Sequence, residues 1–220
     1  MSNPLPILLI FDLDGTLYQT GISFLPTMRA VYANYGLDAP EDDVLLSTVG
    51  EPFEHFLDWL VDQGLTRNRA ELAQTIARHE LESIRQNGAL FPGAAETLRL
   101  LKEQGCLLAI CTNGDRIYAR AVLDHFGLTS LFDAIQTLED NARTKADMIN
   151  VLRREFPHRR AWMIGDRYHD LRAGRDTGCT VVAAAYGYGS EKEMSSADYV
   201  LASITDLPGL ALPANTDSPA

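Results

Sequence analysis

Two aspartates one residue apart, Asp12 and Asp14, follow the apolar run ILLIF at 7–11 and precede Gly15 and Thr16. A strand buried on both faces has no packing reason to end on two carboxylates sharing one side. Three further segments carry reactive groups at comparable places. CLLAICT ends on Thr112 with Asn113 and Gly114 after it, TKADMI opens with Thr144 and Lys145, and AWMIG leads to Asp166, with Asp170 one helical turn on. In a parallel α/β sheet the ligand site lies beyond the carboxyl ends of the strands, so all of these residues are expected at one edge.

That set of groups restricts the chemistry. Crowded carboxylates repel one another and resist ionisation unless a cation sits among them, and a hard divalent ion with oxygen ligands, such as Mg²⁺, meets that need. Lys145 adds a fixed positive charge, while the Thr112 hydroxyl and the backbone N–H groups after Asp12 and Thr112 add directed donors. Together they suit a phosphate. A carboxylate attacks phosphorus when a metal and a lysine offset the repulsion between anions, and the product is an aspartyl-phosphate.

The elements that must position these groups can be read from periodicity. From Phe91 onward, helical and strand-like patterns alternate. PGAAETLRLLKEQG sets Ala94, Leu98 and Leu101 on one face and stops at Gly105. CLLAICT is a continuous apolar run of the kind that parallel sheets bury on both faces. IYARAVLDHFG predicts a helix with Ile117, Ala121, Val122 and Phe126 inward. FDAIQT is a short strand, TKADMINVLRREF a helix capped by Thr144 with Met148, Ile149, Leu152 and Phe156 on one side, and AWMIG, TVVAAA and ADYVL are strands, the last at an edge. This alternation predicts an α/β fold, a doubly wound parallel sheet with helices on both faces. From about Gly21 to Gly88 only helical patterns occur, which predicts a helical insertion after the first strand.

Each motif has a bland reading. Asp14-Gly15 or Thr112-Asn113-Gly114 alone is a turn. Lys145 alone is a first-turn helix lysine, an unfavourable place for a cation. Asp170 divides evenly between a supporting role and a helix surface. It is the four motifs together, each at the end of an apolar run or the start of a helix, that favour a common site. Arg29, Glu51 and Arg85 read as solvated helix surface, although Gly50 and Glu51 occupy a loop able to reach over the site.

Composition narrows the partners. The net charge of -11 leaves no basic excess for nucleic acid polymers or anionic membranes, and the cluster RREFPHRR reads as a helix end. Cys106, Cys111 and Cys179 lack metal-like spacing and lie in or beside apolar runs, as buried thiols in a reducing compartment do. No stretch of eighteen apolar residues is present and no basic leader precedes ILLIF, so a cytoplasmic protein is expected.

DLDGTLY, CTNG, TKADMI and GDRYHD, in that order, resemble the four signature motifs of the haloacid dehalogenase superfamily, over nearly the whole chain except its tail. The helical stretch between DLDGTLY and FPGAAETL is similar to the cap of the subclass that includes phosphoglycolate phosphatases, phosphomutases and some nucleotidases. TVGEPFEHFL and AAAYGYGS most resemble the phosphoglycolate-phosphatase-like branch. The resemblance implies a core of 1–17 and 89–210, a helical cap of 18–88 and a flexible tail of 211–220. It implies Asp12 as nucleophile and metal ligand, and Asp14 as general acid and then base, with its backbone carbonyl on the metal. Thr112 and Lys145 neutralise the phosphoryl oxygens, helped by Thr16, Asn113 and Gly114. Asp166 completes the Mg²⁺ shell, and Asp170 orients it or bonds to metal-bound water.

The dehalogenases that name the superfamily need no metal and lack the second aspartate of the first motif. Asp14 and Asp166 therefore favour phosphate over carbon–halogen chemistry. Ala146 follows Lys145 where the branch commonly has proline, which weakens the likeness to true phosphoglycolate phosphatases. The expected activity is hydrolysis of a small phosphorylated metabolite (phosphoglycolate-like, nucleotide or sugar phosphate) by a monomer or homodimer. A phosphomutase and a non-catalytic phosphometabolite-binding protein are the alternatives.

Overall fold

The computed structural model describes residues 7–138, 144–157 and 159–211. Six parallel strands form one sheet in the order β3-β2-β1-β4-β5-β6: β1 Leu8–Phe11, β2 Leu107–Thr112, β3 Ala134–Thr137, β4 Ala161–Gly165, β5 Thr180–Ala184 and β6 Tyr199–Leu201. The helices of the α/β body are α5 Ala94–Glu103, α6 Arg116–His125, α7 Lys145–Glu155, α8 Tyr168–Asp176, the short α9 Glu191–Met194, and α10 Leu207–Ala211. Between β1 and α5 lie only helices: α1 Thr20–Asn34, α2 Asp42–Leu46, α3 Phe53–Asp62 and α4 Arg69–Asn87.

Strand alternation divides the core into two layers. Leu9 and Phe11 of β1 pack with Leu98, Val122 and Leu123 on the side of α5 and α6. Leu8 and Ile10 face the other way, onto Met148, Ile149 and Leu152 of α7. All four β1 residues are buried, which is why the run is apolar without interruption. The insertion has its own cluster, in which Met28, Val31, Leu45, Leu57, Leu60 and Leu72 interlock.

Sheet register brings the reactive residues together. Phe11 pairs with Ile110 on one side and Ile164 on the other, so Asp12 emerges level with the last turns of both neighbouring strands. Its N–H donates to the Ile164 carbonyl at 2.8 Å. Thr112 and Asp166 lie one step further along β2 and just past β4.

Three local expectations are corrected. Helix α6 buries Tyr118, Ala119, Val122 and Leu123, whereas Ile117 is 70% exposed and Ala121 and Phe126 are only partly covered. Tyr118 turns inward with its hydroxyl donating to Asp14, while the Asp115 side chain caps the helix start by accepting from the Tyr118 N–H. The stretch PTMRAVYANYG reads as helical from Pro26, whereas helix α1 begins six residues earlier, at Thr20. The hydroxyl of Thr20 donates to Asp14, and the Tyr188 hydroxyl accepts the otherwise unpaired N–H of Gly21. At the other end, Ala211 is buried in α10 rather than part of a loose tail, and the remainder of the 211–220 segment lies outside the described residues.

Candidate active site

Asp12, Asp14, Thr16, Thr112, Lys145, Asp166 and Asp170 are all buried at the carboxyl edge of β1, β2 and β4. Lys145 opens α7, whose N-terminus is closed by a capping box between Thr144 and Asp147. Its ammonium donates to Asp12 Oδ1 at 2.6 Å and also to Asp170 Oδ1. The second oxygen of Asp170 accepts from the Arg167 N–H at 2.9 Å, so Asp170 both caps α8 and anchors the lysine. The even choice left open for Asp170 by its sequence is thus resolved in favour of burial within the site.

Asp166 is gripped from three sides. Its carboxylate accepts from the Tyr188 N–H at 2.7 Å and from the Thr16 hydroxyl at 3.3 Å. A Cβ on Gly15 or on Gly187 would overlap it, so two glycines permit the backbone to close around the charge. Gly15 also has φ +76°, where side chains are strained. Asp14 is held by two hydroxyls. Thr20 donates to its Oδ1 at 2.6 Å and Tyr118 donates to the same oxygen. Asn113 and Gly114 lie beside Thr112, with the Gly114 N–H donating to the Thr112 hydroxyl at 3.0 Å.

The electrostatics reflect one ammonium among several acids. Burial, reinforced by the nearby Asp170 charge, pushes Asp12 well above the usual carboxylate range despite the opposing pull of Lys145. The same two causes raise Asp166 to about 7. Burial raises Asp14 as well, with the Thr20 and Tyr118 hydroxyls opposing it. For Lys145, burial favours the neutral amine, but the charges of Asp12 and Asp170 outweigh it and hold the ammonium firmly protonated.

Oxygen atoms from Asp12, Asp166 and Asp170 lie within 4.8 Å of one another. Three buried carboxylates against one ammonium leave net negative charge in a low-dielectric site. This all-oxygen donor set fits a hard divalent cation, which would relieve the repulsion that raises Asp12 and Asp166.

Above Asp12 and Asp14 a cavity of about 300 Å³ opens beneath the insertion. Its far wall is apolar, built from Phe24, Val49, Phe53, Phe56, Ile76 and Ala77. Gln74, Glu51 and Glu80 also line it. Gly50 and Glu51 reach over the site: the Gly50 carbonyl accepts from the Asn113 amide at 2.9 Å, the Val49 carbonyl accepts from Arg167, and Glu51 lies 3.5 Å from His169. Arg29 and Arg85 point into solvent instead. Cys111 is buried, and burial pushes its thiol up to about 12, the behaviour of a packing residue and not of a nucleophile.

The sequence profile of the haloacid dehalogenase-like hydrolases matches residues 9–184, which includes every residue of the buried cluster. The chain belongs to that family. Haloacid dehalogenase-like relatives include the phosphoglycolate phosphatase of Haemophilus influenzae, 30% identical over 190 residues that span 81% of this chain and 85% of the relative. The phosphoglycolate phosphatase of Agrobacterium fabrum is 30% identical over 207 residues, covering 85% and 84%. Among solved structures, a haloacid dehalogenase-like family hydrolase of Streptococcus pneumoniae superposes with a TM-score of 0.80 at 23% identity, covering 93% of this chain and 98% of that one, a likeness of fold. The parallel α/β sheet and the expectation of a hydrolase acting on phosphoric monoesters agree with this membership. Among the described residues no helix is long and apolar enough to cross a membrane.

Four residues of this haloacid dehalogenase-like site escaped sequence reasoning: Thr20, Glu80, Tyr118 and Tyr188. Two left a signal. Asp115 is a good N-cap that sets the start of α6 three residues before Tyr118, and Glu80 continues the buried Leu72–Ile76 spacing at i+4.

Proposed function

We propose that the protein is a divalent-metal-dependent phosphatase that hydrolyses a small phosphorylated metabolite through an aspartyl-phosphate on Asp12. The observation that carries the proposal is the placement of Asp12 at the cavity floor, paired with Lys145, while Asp14 beside it pairs with hydroxyls instead.

Lys145 and the Thr112 hydroxyl, with donors from the Asn113–Gly114 turn, hold the phosphoryl oxygens so that the phosphorus faces Asp12. One Asp12 oxygen attacks phosphorus as the bond to the alcohol oxygen breaks, and Asp14 gives its proton to the departing alkoxide. Asp14 then takes a proton from the water that attacks the phosphoaspartate, which frees inorganic phosphate and restores Asp12. Asp12 and Asp166, with the Asp14 carbonyl and the nearby Asp170, would hold Mg²⁺. When bound, the ion neutralises charge on the carboxylates and on the transferring group. The helices from 18 to 88 act as the cap that covers the substrate and excludes water.

Release of inorganic phosphate from a panel of phosphate esters with Mg²⁺ tests this reading. Turnover is expected with the wild-type protein and none with Asp12→Asn. Failure to hydrolyse any ester refutes it, and an isomerised ester with little free phosphate points to a phosphomutase.

A further inference from the structure

The cavity above Asp12 has a charge balance that bears on which ester the enzyme takes. Its lining includes the carboxylates of Asp12, Asp14, Glu51, Glu80 and Asp115, and no lysine or arginine among the described residues. Lys145 lies beneath the floor, spent on Asp12 and Asp170. The part of the cavity away from the phosphate site is walled by aromatic and aliphatic side chains of α1, α3 and α4. A leaving group with a carboxylate of its own would be buried there without a cation and beside like charges, which is costly on both counts.

Within that apolar wall Glu80 stands out. Its neighbours along α4 at the same helical spacing, Leu72, Ile76 and Ile84, are packed in the interior. The Glu80 carboxylate has no hydrogen-bond or ion-pair partner among the described residues, and it faces the cavity. A carboxyl group in either protonation state retains an oxygen that accepts a hydrogen bond. An acceptor left unpaired in such a place is satisfied when the bound molecule brings a donor.

We propose, building on the phosphatase reading above, that the substrates are phosphate monoesters of alcohols with an apolar body and one hydroxyl or amine donor that meets Glu80, and that acidic leaving groups such as glycolate are rejected. Glu80 is then a specificity-determining residue on α4. Discrimination arises from both sides: a donor is rewarded, and a carboxylate meets Glu80, Glu51 and Asp115 as repulsive elements. The chain would thus share its fold and phosphate chemistry with phosphoglycolate phosphatases while differing in the ester it prefers.

The test is a comparison of kcat/KM with Mg²⁺ at one pH for four esters: phosphoglycolate, glycerol phosphate, phosphoethanolamine and phenyl phosphate. For the wild type, glycerol phosphate or phosphoethanolamine should exceed phosphoglycolate by at least about tenfold, the effect of one buried hydrogen bond or charge clash. Glu80→Lys should move that ratio toward phosphoglycolate by at least about tenfold, since it supplies the missing cation. Glu80→Leu should remove the preference for donor-bearing esters over phenyl phosphate. Phosphoglycolate as the best wild-type substrate overturns the inference while leaving the phosphatase reading intact, and it does so even if neither variant folds. Unchanged ratios in both folded variants also overturn it. Absence of phosphate release from all four esters removes the inference together with the reading beneath it.

Discussion

Where β1, β2 and β4 end, carboxylates, hydroxyls and one ammonium converge within bonding distance of one another. Across the same cavity α1, α3 and α4 offer phenylalanines, alanines and the Glu80 carboxylate, which has no partner among the described residues. On the sheet side the charged groups hold one another: Asp170 holds Lys145, Lys145 holds Asp12, and Tyr188 holds Asp166. On the helical side the contacts are mostly apolar, and such contacts tolerate exchange of one side chain for another of similar volume. The difference teaches a division of labour. Reaction at phosphorus depends on donors placed to within tenths of an ångström, whereas recognition of the rest of the ester needs a shaped wall with few polar points.

Breaking the sheet side should cost most. Asp12→Asn, which removes the proposed nucleophile, is expected to abolish turnover of every ester tested, a loss of more than about 10³-fold in kcat. Removal of divalent cations with a chelator should abolish turnover, and added Mg²⁺ should restore it. Calorimetry should then show the metal-loaded protein melting at a higher temperature than the stripped one, because a ligand of the native state stabilises it.

A smaller effect is expected at the junction of the two regions. Tyr118→Phe deletes a hydrogen bond to Asp14 while keeping the ring, and a bond to a charged group is worth about 1.5 kcal/mol or roughly tenfold in rate. In the proposed mechanism Asp14 handles the proton, so the pH profile of kcat should shift along with its height, whereas a purely structural role for the ring would leave the profile in place. On the helical side, Leu60→Ala opens space in a fully buried position and should reduce stability by about 2–5 kcal/mol. Denaturant unfolding measures this. Ile10→Ala in the sheet provides the matched comparison, and one shared transition in both variants would show that the two regions unfold together.

A further expected effect concerns the pH dependence set by Glu80. Burial, with the charges of Asp14 and Asp115 nearby, pushes its carboxyl up to about 8 from an ordinary value of 4.5. A carboxyl that holds its proton more tightly when folded stabilises the fold below the unfolded value and loses that contribution as pH rises through the folded one. The wild type should therefore lose stability between about pH 4.5 and 8, and Glu80→Gln should flatten that decline. An identical slope in Tm against pH for both proteins would contradict the burial of this group.

Much of the sheet side was legible in the sequence because strand periodicity and apolar runs mark where buried strands stop. Asp12, Thr112 and Asp166 follow directly from such stops, and Lys145 from a capping threonine. Asp170 could not be settled that way, since nothing local distinguishes a helix N3 acid that only caps from one that also reaches across to a lysine. The α6 face was misread for a related reason. Apolar spacing alone favoured Ile117, whereas the fold buries Tyr118, whose hydroxyl meets Asp14 across 104 residues of sequence. Glu80 gave a readable conflict, a charge at core spacing in α4. Tyr188 gave none, because its contact with Gly21 joins residues 167 apart in the sequence, and Thr20 gave none, because its bond to Asp14 depends on how the chain turns back between them.

The loop over the site has one further consequence. Arg167 and Asn113 fasten it through the carbonyl oxygens of Val49 and Gly50, atoms that every amino acid supplies. Gly50 itself is constrained by its positive φ of 89°, whereas the side chains of Val49 and Phe53 take no part in those two bonds and that of Glu51 adds only its 3.5 Å contact with His169. Mutation at these three positions can redraw the wall above the substrate while the fastening persists. Evolution, or a directed library restricted to 49, 51 and 53, can therefore explore new esters without first having to reinvent closure.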